Sequence, residues 1–522
     1  MREPHNDARL QDLFPFSEAQ GVQMRNFINS SESVPLTTSS SKSSGSAGMT
    51  RREFAGAATG MIASLLGSSA GAFAGEPPSN RGQAISQRIL LKGGVVLTFD
   101  ANISDFEKAD VLIEGKKIVV VQPNISANAT VIDASKMIVL PGFIDSHHHC
   151  YQAALRNIQT NGLLEDYSRD IVGEATPFYR AEDAYVGELI STVRALDAGI
   201  TTIMDISQVS HSPEHSDACI KGLMDAGIRA VFAYARGAGP KAQYPQDIER
   251  LQKQYFSSAD QLLTLALGTQ LAQEQWAVAR KAGVRIFTHV VGRPAGDTIL
   301  SWGRSGLMRS DNVYIHATGV SAELMKMIAD TGGGVSIASP IEMTMRHGMP
   351  PLQRALDHGI RPSLSSDVET TMAADMFTQM RSVFTLQRAM INERAINGEK
   401  NLPALLTARD VIGFATVEGA KVTGLERKTG TLTPGKEADI VMLRTDLPNV
   451  LPFNNAYGAI VAHMDTSNVD TVIVAGRVMK RNGKLVGFDM DRIAGMADRS
   501  RNYIVGKVGW PRSVLDTSRP GR

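Results

Sequence analysis

Pro141-Gly142-Phe143-Ile144-Asp145-Ser146-His147-His148-His149 is the stretch on which the reading of this chain turns. It closes an apolar run that begins at Met137. Extended backbone sends successive side chains to opposite faces. His147 and His149 therefore converge on one side, and His148 points away. A buried strand that ends in two convergent imidazoles is unusual unless something outside the strand uses them.

Working outward, seven further strand-like runs follow: Ile200–Ile206, Ile228–Tyr234, Leu262–Leu267, Arg285–Thr288, Asn312–Ile315, Gly334–Ala338 and Arg361–Ser365. With Met137–Ile144 as the first, they make eight. Most are short and apolar, as parallel strands buried on both faces require. Helical spacing separates them, as in Glu188–Leu196 and Ala322–Ala329. Eight strand-then-helix units predict an α/β fold, a closed (β/α)₈ TIM barrel over residues 136–424. An open doubly wound sheet is the runner-up. β-rich runs flank the barrel at Ile89–Phe99 and Ala109–Val121, and again at Asp439–Leu443, Val469–Ala475 and Gly476–Met479. Residues 75–135 and 425–490 are expected to meet in a small β-sandwich, followed by a C-terminal tail over 491–522.

In such a barrel the chemistry sits where the strands end. The fifth strand runs into His289, the sixth into His316 and the eighth into Asp367. A lone buried histidine is usually a hydrogen-bonded core residue, and a lone Asp367 fits a helix N-cap. Four such groups at the same end of four strands are not explained that way. Neutral imidazoles with one carboxylate suit a divalent metal ion, Zn²⁺ first and Fe²⁺ second, with a position left for water.

Pro141–His149 resembles the first-strand signature of the amidohydrolase superfamily, in its cytosine deaminase and triazine hydrolase branch. Thr431-Leu-Thr-Pro-Gly-Lys-Glu-Ala-Asp-Ile-Val441 resembles the segment that returns that family's chain to its β domain. The likeness spans about residues 89 to 485. It implies a mononuclear metal site with His147, His149, His289 and Asp367 as ligands and His316 near the substrate. No lysine follows the fourth strand (Leu265–Gln270), which argues against a lysine-bridged pair of metals. Gln152 and Arg156 stand where relatives contact substrate. The family also forms dimers and larger assemblies, so a homo-oligomer is an expectation.

Metal-activated hydroxide is then the nucleophile, Asp367 the general base, and His316 a hydrogen-bond partner of the developing charge. One departure stands out. Ring-deaminating relatives read His-x-x-Glu at the fifth strand, whereas this chain reads His289-Val290-Val291-Gly292. Glycine carries no proton, so Glu342 is the first substitute, Glu369 the second and His347 the third. His211 and His215 lie at the same face, as pocket lining or solvated loop; His358 and His463 read as structural or surface. The expected function is hydrolysis of a non-peptide C–N bond in a small cyclic or aryl compound. Ring deamination, dehalogenation on the same site and a non-catalytic binding protein are the alternatives.

The chain has 522 residues, a formal net charge of +1 and a 43% hydrophobic fraction, ordinary for a globular protein. Near-zero net charge gives no footprint for nucleic acid or an anionic membrane. Two cysteines, Cys150 and Cys219, exclude a disulfide framework. Residues 1–48 are low in complexity and expected to be disordered. Residues 49–74 read as a twin-arginine signal: Arg51-Arg52 with Phe54, an apolar run from Ala55 to Phe73, and Ala72-Phe73-Ala74 as a cleavage site. That predicts the twin-arginine export machinery as a partner of the precursor, a periplasmic or exported enzyme starting near Gly75 (cytoplasmic if the signal is not used), and no membrane span.

Overall fold

A computed structural model describes residues 88–511 and 514–515. The readings of residues 1–48 and 49–74 lie outside the described residues. Five strands open the described chain: β1 (Arg88–Val96), β2 (Phe106–Glu114), β3 (Lys117–Gln122), β4 (Thr130–Asp133) and β5 (Met137–Pro141). Eight parallel strands follow: β6 (Phe143–His148), β7 (Ile200–Ser210), β8 (Arg229–Arg236), β9 (Leu263–Thr269), β10 (Arg285–His289), β11 (Asn312–Ile315), β12 (Gly334–Ile337) and β13 (Ser363–Leu364). They pair in sequence order from β6 to β13. A parallel bridge between His148 and Asp367 joins the two ends and closes the barrel. Its interior is filled by Met204, Ile206, Val231, Ala233, Phe287, Val313 and Ile315, a packed core with no open channel.

β14 (Ile440–Arg444), β15 (Val469–Val474), β16 (Arg477–Arg481) and β17 (Lys484–Leu485) return to the opening strands. The ends of the chain thus share one nine-stranded mixed sheet, joined where β14 runs antiparallel to β5. The Gly115-Lys116 turn joins β2 and β3 in a hairpin, with Gly115 at φ 56°. The sheet has its own apolar core, including Ile89, Val111, Ile113, Ile440 and Ile473.

One expected element divides. The run Met137–Ile144, read as the first barrel strand, is two strands in two sheets. Met137–Pro141 pairs with β14, and only Phe143–His148 belongs to the barrel. The switch is at Gly142, whose N–H donates to Asp439 O at 2.9 Å while that of Phe143 donates to Gly199 O at 3.1 Å. A Cβ on Gly142 would stand 2.2 Å from the Thr201 side chain, so only glycine lets the chain cross there. Continuous hydrophobicity hid the break, because both halves are buried. The eighth strand is shorter than read, Ser363–Leu364. Its preceding residues begin with Arg361-Pro362, and proline has no N–H to give to a ladder.

Barrel and mixed sheet are pinned by Arg229 at the start of β8. Its guanidinium reaches Asp439 at 2.6 Å and Glu437 at 2.7 Å, and the arginine is fully buried. Residues 491–522, expected only as a tail, carry a helix, Met490–Val508. It packs on the barrel side through Tyr503, whose ring lies 3.5 Å from the Arg180 guanidinium carbon. Among the described residues no helix is long and apolar enough to cross a membrane.

Candidate active site

His147 and His149 leave the end of β6 on one side, as alternation requires. Their ring centroids are 4.8 Å apart, and that of His289, from the end of β10, lies 4.8 Å from His147 and 5.4 Å from His149. Asp367 enters from beyond β13. Its Oδ1 is 3.1 Å from His147 Nε2 and 3.6 Å from His149 Nε2. The backbone closes the site as it closes the barrel: Asp367 N–H donates to His147 O at 3.1 Å, and His149 N–H to Asp367 O at 3.0 Å. His316 faces the same carboxylate, Nε2 to Oδ2 at 3.6 Å. The five residues named from sequence therefore come together.

Two of them hold left-handed backbone, His316 at φ 66° and Asp367 at φ 63°. A non-glycine residue pays roughly 1–2 kcal/mol for that conformation. In both, it turns the chain sharply at a strand end so that the side chain faces the barrel axis.

The electrostatics favour a cation. Burial, and the neighbouring imidazoles, hold His149 down to about 3 and put His289 well below its ordinary range; burial also lowers His147. All three shifts favour the neutral, lone-pair-bearing imidazole. Burial works against ionising Asp367, but His147 and His316 outweigh it and keep the carboxyl well below the usual range. His149 Nδ1–H donates to Ile206 O at 3.1 Å, which fixes the tautomer and leaves Nε2 to the site. His147 Nδ1 is buried with no hydrogen-bond partner. His147 is in reach of His149 and Asp367 and, on its other side, of His289 and His316, and three imidazoles with one carboxylate fit a divalent ion.

The residues meant to replace the missing glutamate fall apart by position. Glu342, at the start of the short helix Ser339–Thr344, is fully buried. Its Oε1 accepts from Ala338 N–H at 2.8 Å and stands 3.2 Å from His316 Nδ1. It sits behind His316. Burial raises its pKa, and Asp367 and Glu342 together raise that of His316 against the effect of burial. Glu369 is committed elsewhere: it pairs with Arg156, stands 3.3 Å from His148 Nε2 and accepts from Ser191 at 2.7 Å. Burial opposes its charge, yet His148 and Arg156 hold it down to about 2. His347 is buried with both ring nitrogens unpartnered, its ring centroid 4.7 Å from that of His316.

Gln152 and Arg156, expected at substrate, are also engaged. Gln152 donates to Tyr151 at 3.0 Å and Tyr167 at 2.6 Å, with its Oε1 left unpartnered; Arg156 is spent on Glu369. His211 and His215 are structural. His211 reaches Thr176 O at 2.8 Å and accepts from Ala238 N–H, while His215 reaches Tyr179 O at 3.1 Å.

Sequence reasoning turned His148 away from the site but missed what it meets there. Asp145, Ser366, Glu369 and Ser191 surround it. Burial opposes its charge, but Asp145 and Glu369 push it up to about 10. His148, set under the strand ends between the Asp145 and Glu369 carboxylates and against Ser366, holds β6 to the Ser366–Glu369 segment. The available signal was the Asp145-x-x-His148 spacing.

The Amidohydrolase family model matches residues 138–479. The 5'-deoxyadenosine deaminase of Methanothermobacter thermautotrophicus is 25% identical over 446 residues, 81% of this chain and 100% of that protein. The 5-methylthioadenosine/S-adenosylhomocysteine deaminase of Symbiobacterium thermophilum is 26% identical over 422 residues, 75% of this chain and 93% of that one. Among solved structures, an adenosine deaminase from Xanthomonas campestris with bound zinc superposes with a TM-score of 0.73 at 17% identity, covering 81% of this chain and 99% of its own. The atrazine chlorohydrolase of Arthrobacter aurescens TC1, complexed with zinc, gives 0.68 at 23%, covering 79% and 100%. The match covers most of the chain and includes every strand of the barrel, so this protein belongs to the Amidohydrolase family and is a hydrolase of non-peptide C–N bonds.

Proposed function

We propose that His147, His149, His289 and Asp367 hold one divalent ion, zinc before iron, and that the enzyme removes an amino or substituted amino group from a small cyclic compound. The observation that carries this is the gathering of the His147, His149 and His289 rings beside Asp367, whose Oδ1 faces His147 and His149 and whose Oδ2 faces His316. Bound there, the ion supplies Lewis acidity and a water of lowered pKa. Asp367 takes the proton of the attacking water. His316, between Asp367 and Glu342, stabilises the charge that develops on the ring and delivers the proton to the leaving nitrogen. It thereby does the work of the side chain that Gly292 lacks. Glu342 is a positioning residue: it fixes the His316 ring and favours its protonated form.

Deaminase relatives support a heterocyclic substrate, and triazine hydrolases of the same fold support a ring nitrogen next to the reacting carbon. The test is release of ammonia or amine by purified chain starting near Gly75, loaded with zinc or iron. The panel comprises aminopurine nucleosides, amino- and alkylamino-triazines, chlorotriazines and aryl carbamates. Turnover confined to the nitrogen-leaving compounds supports the proposal. Chloride release with no amine release would move the function to dehalogenation.

A further inference from the structure

Cys150 follows His149 directly, but its thiol belongs to a second buried cluster. Glu188, on the helix Ala181–Asp197, and Asp205, on β7, meet it there. One ligand atom from each of the three lies within 4.8 Å of the other two, and all are fully buried. A second thiol, Cys219 of the helix Pro213–Ala226, faces the same Glu188 carboxyl and accepts from Ser207 Oγ at 3.3 Å. Gly187 makes the approach possible: a Cβ there would stand 2.1 Å from Tyr151 O.

The polar bookkeeping of this cluster does not close. Both Glu188 oxygens and Asp205 Oδ2 are buried without a hydrogen-bond partner. Asp205 Oδ1 accepts from Cys150 N–H at 3.0 Å. Two adjacent buried carboxyl groups with no well-formed side-chain hydrogen bond, and only thiols and each other for neighbours, are a costly arrangement in a protein interior. Burial, with the neighbouring Asp205, pushes Glu188 well up, and burial pushes Asp205 up to about 7 against the hydrogen bond from Cys150 N–H and the nearby His148. A divalent cation removes the problem. Two thiolates and two carboxylate oxygens form a tetrahedral set for zinc, and at bond lengths of roughly 2.0–2.3 Å their atoms stand about 3.3–3.8 Å apart. Atoms of Cys150, Glu188 and Asp205 lie within 4.8 Å of one another and would draw together around the ion, with Cys219 brought in from beside Glu188 as the fourth ligand.

We propose that Cys150, Cys219, Glu188 and Asp205 form a second, structural metal site of the zinc class, separate from the site at His147. It ties two outer helices to β7 and to the segment that carries His149. The thiols lose their protons as the ion binds, and the released protons pass to solvent.

Cobalt distinguishes the two sites, because only a thiolate ligand gives a sulfur-to-cobalt charge-transfer band in the near ultraviolet, and the histidine site holds no sulfur. Protein loaded with cobalt is expected to show that band and to bind about two equivalents. Cys219→Ser should remove about half of the band, and adding Cys150→Ser should abolish it, with about one equivalent still bound. In His289→Ala the band should persist. Cys219 lies outside the catalytic set, so Cys219→Ser alone, checked by circular dichroism, keeps the test valid if the double variant misfolds. Folded protein that binds a single equivalent and shows no sulfur band overturns the proposal, and identifies the cluster as a carboxyl pair sharing one proton. A sulfur band in cobalt-loaded wild type that turns over no compound of the panel would count against the proposed reaction alone.

Discussion

Replacing Glu342 by glutamine separates its charge from its shape. In the wild type one oxygen receives both Ala338 N–H at 2.8 Å and the His316 ring at 3.2 Å. Glutamine keeps an acceptor of the same size at that point, so the loop and the ring stay in place. What disappears is the charge that supports a protonated His316. A hydrogen bond to a charged group contributes about 1.5–3 kcal/mol, against about 0.5–1.5 for a neutral one. The difference, about 1.4 kcal/mol, is roughly tenfold in kcat if it is felt fully in the transition state. Glu342→Ala also strands the Ala338 N–H and the ring nitrogen, and about 3 kcal/mol, or roughly 150-fold, is expected. The assay is amine release under saturating substrate, with metal content measured on the same samples. Turnover unchanged in Glu342→Gln would remove the residue from the mechanism. Turnover and metal falling together would show that it supports the site as a whole and not the His316 proton.

Three further outcomes are expected. His289→Ala and Asp367→Asn should each lose the ion from the histidine site and reduce turnover by roughly 10³-fold or more, as measured by elemental analysis and amine release. Burial opposes the charge of Glu437, but the Arg229 guanidinium outweighs it and holds the carboxyl below the usual glutamate range. A depressed folded pKa contributes stability above the unfolded pKa and loses it as pH falls through the folded one. The Tm advantage of wild type over Glu437→Gln should therefore be full near neutral pH and shrink as pH drops below about 4.5; an advantage independent of pH would refute the pairing. The export reading predicts that changing Arg51 and Arg52 to lysine leaves the precursor in the cytoplasm, which cell fractionation checks.

How far the molecule was legible depended on the range of the interactions involved. Strand alternation is local, so the divergence of His148 from His147 and His149 was readable from three letters. The strand-end positions of His289, His316 and Asp367 followed from the repeat of the barrel. The split at Gly142 was not readable, since a buried strand of one sheet and of another have the same composition. Its cause is a contact with Thr201, some sixty residues on. The roles of Glu342 and Glu369 were equally opaque. Both are acids beyond strand ends, and what separates them is that Glu369 meets Arg156 and His148 while Glu342 meets His316. The pairing of Cys150 with Glu188, Asp205 and Cys219 depends on how helices lie over β7, which no spacing in the sequence encodes.

The central claim is one divalent ion held by four side chains distant along the polypeptide. Diffraction collected on either side of the absorption edge of the bound metal tests it directly, and it does so apart from the cysteine cluster. The account predicts an anomalous peak within about 2.0–2.2 Å of one nitrogen of each of His147, His149 and His289 and of an Asp367 oxygen. Active crystals with no peak among those three rings would contradict it.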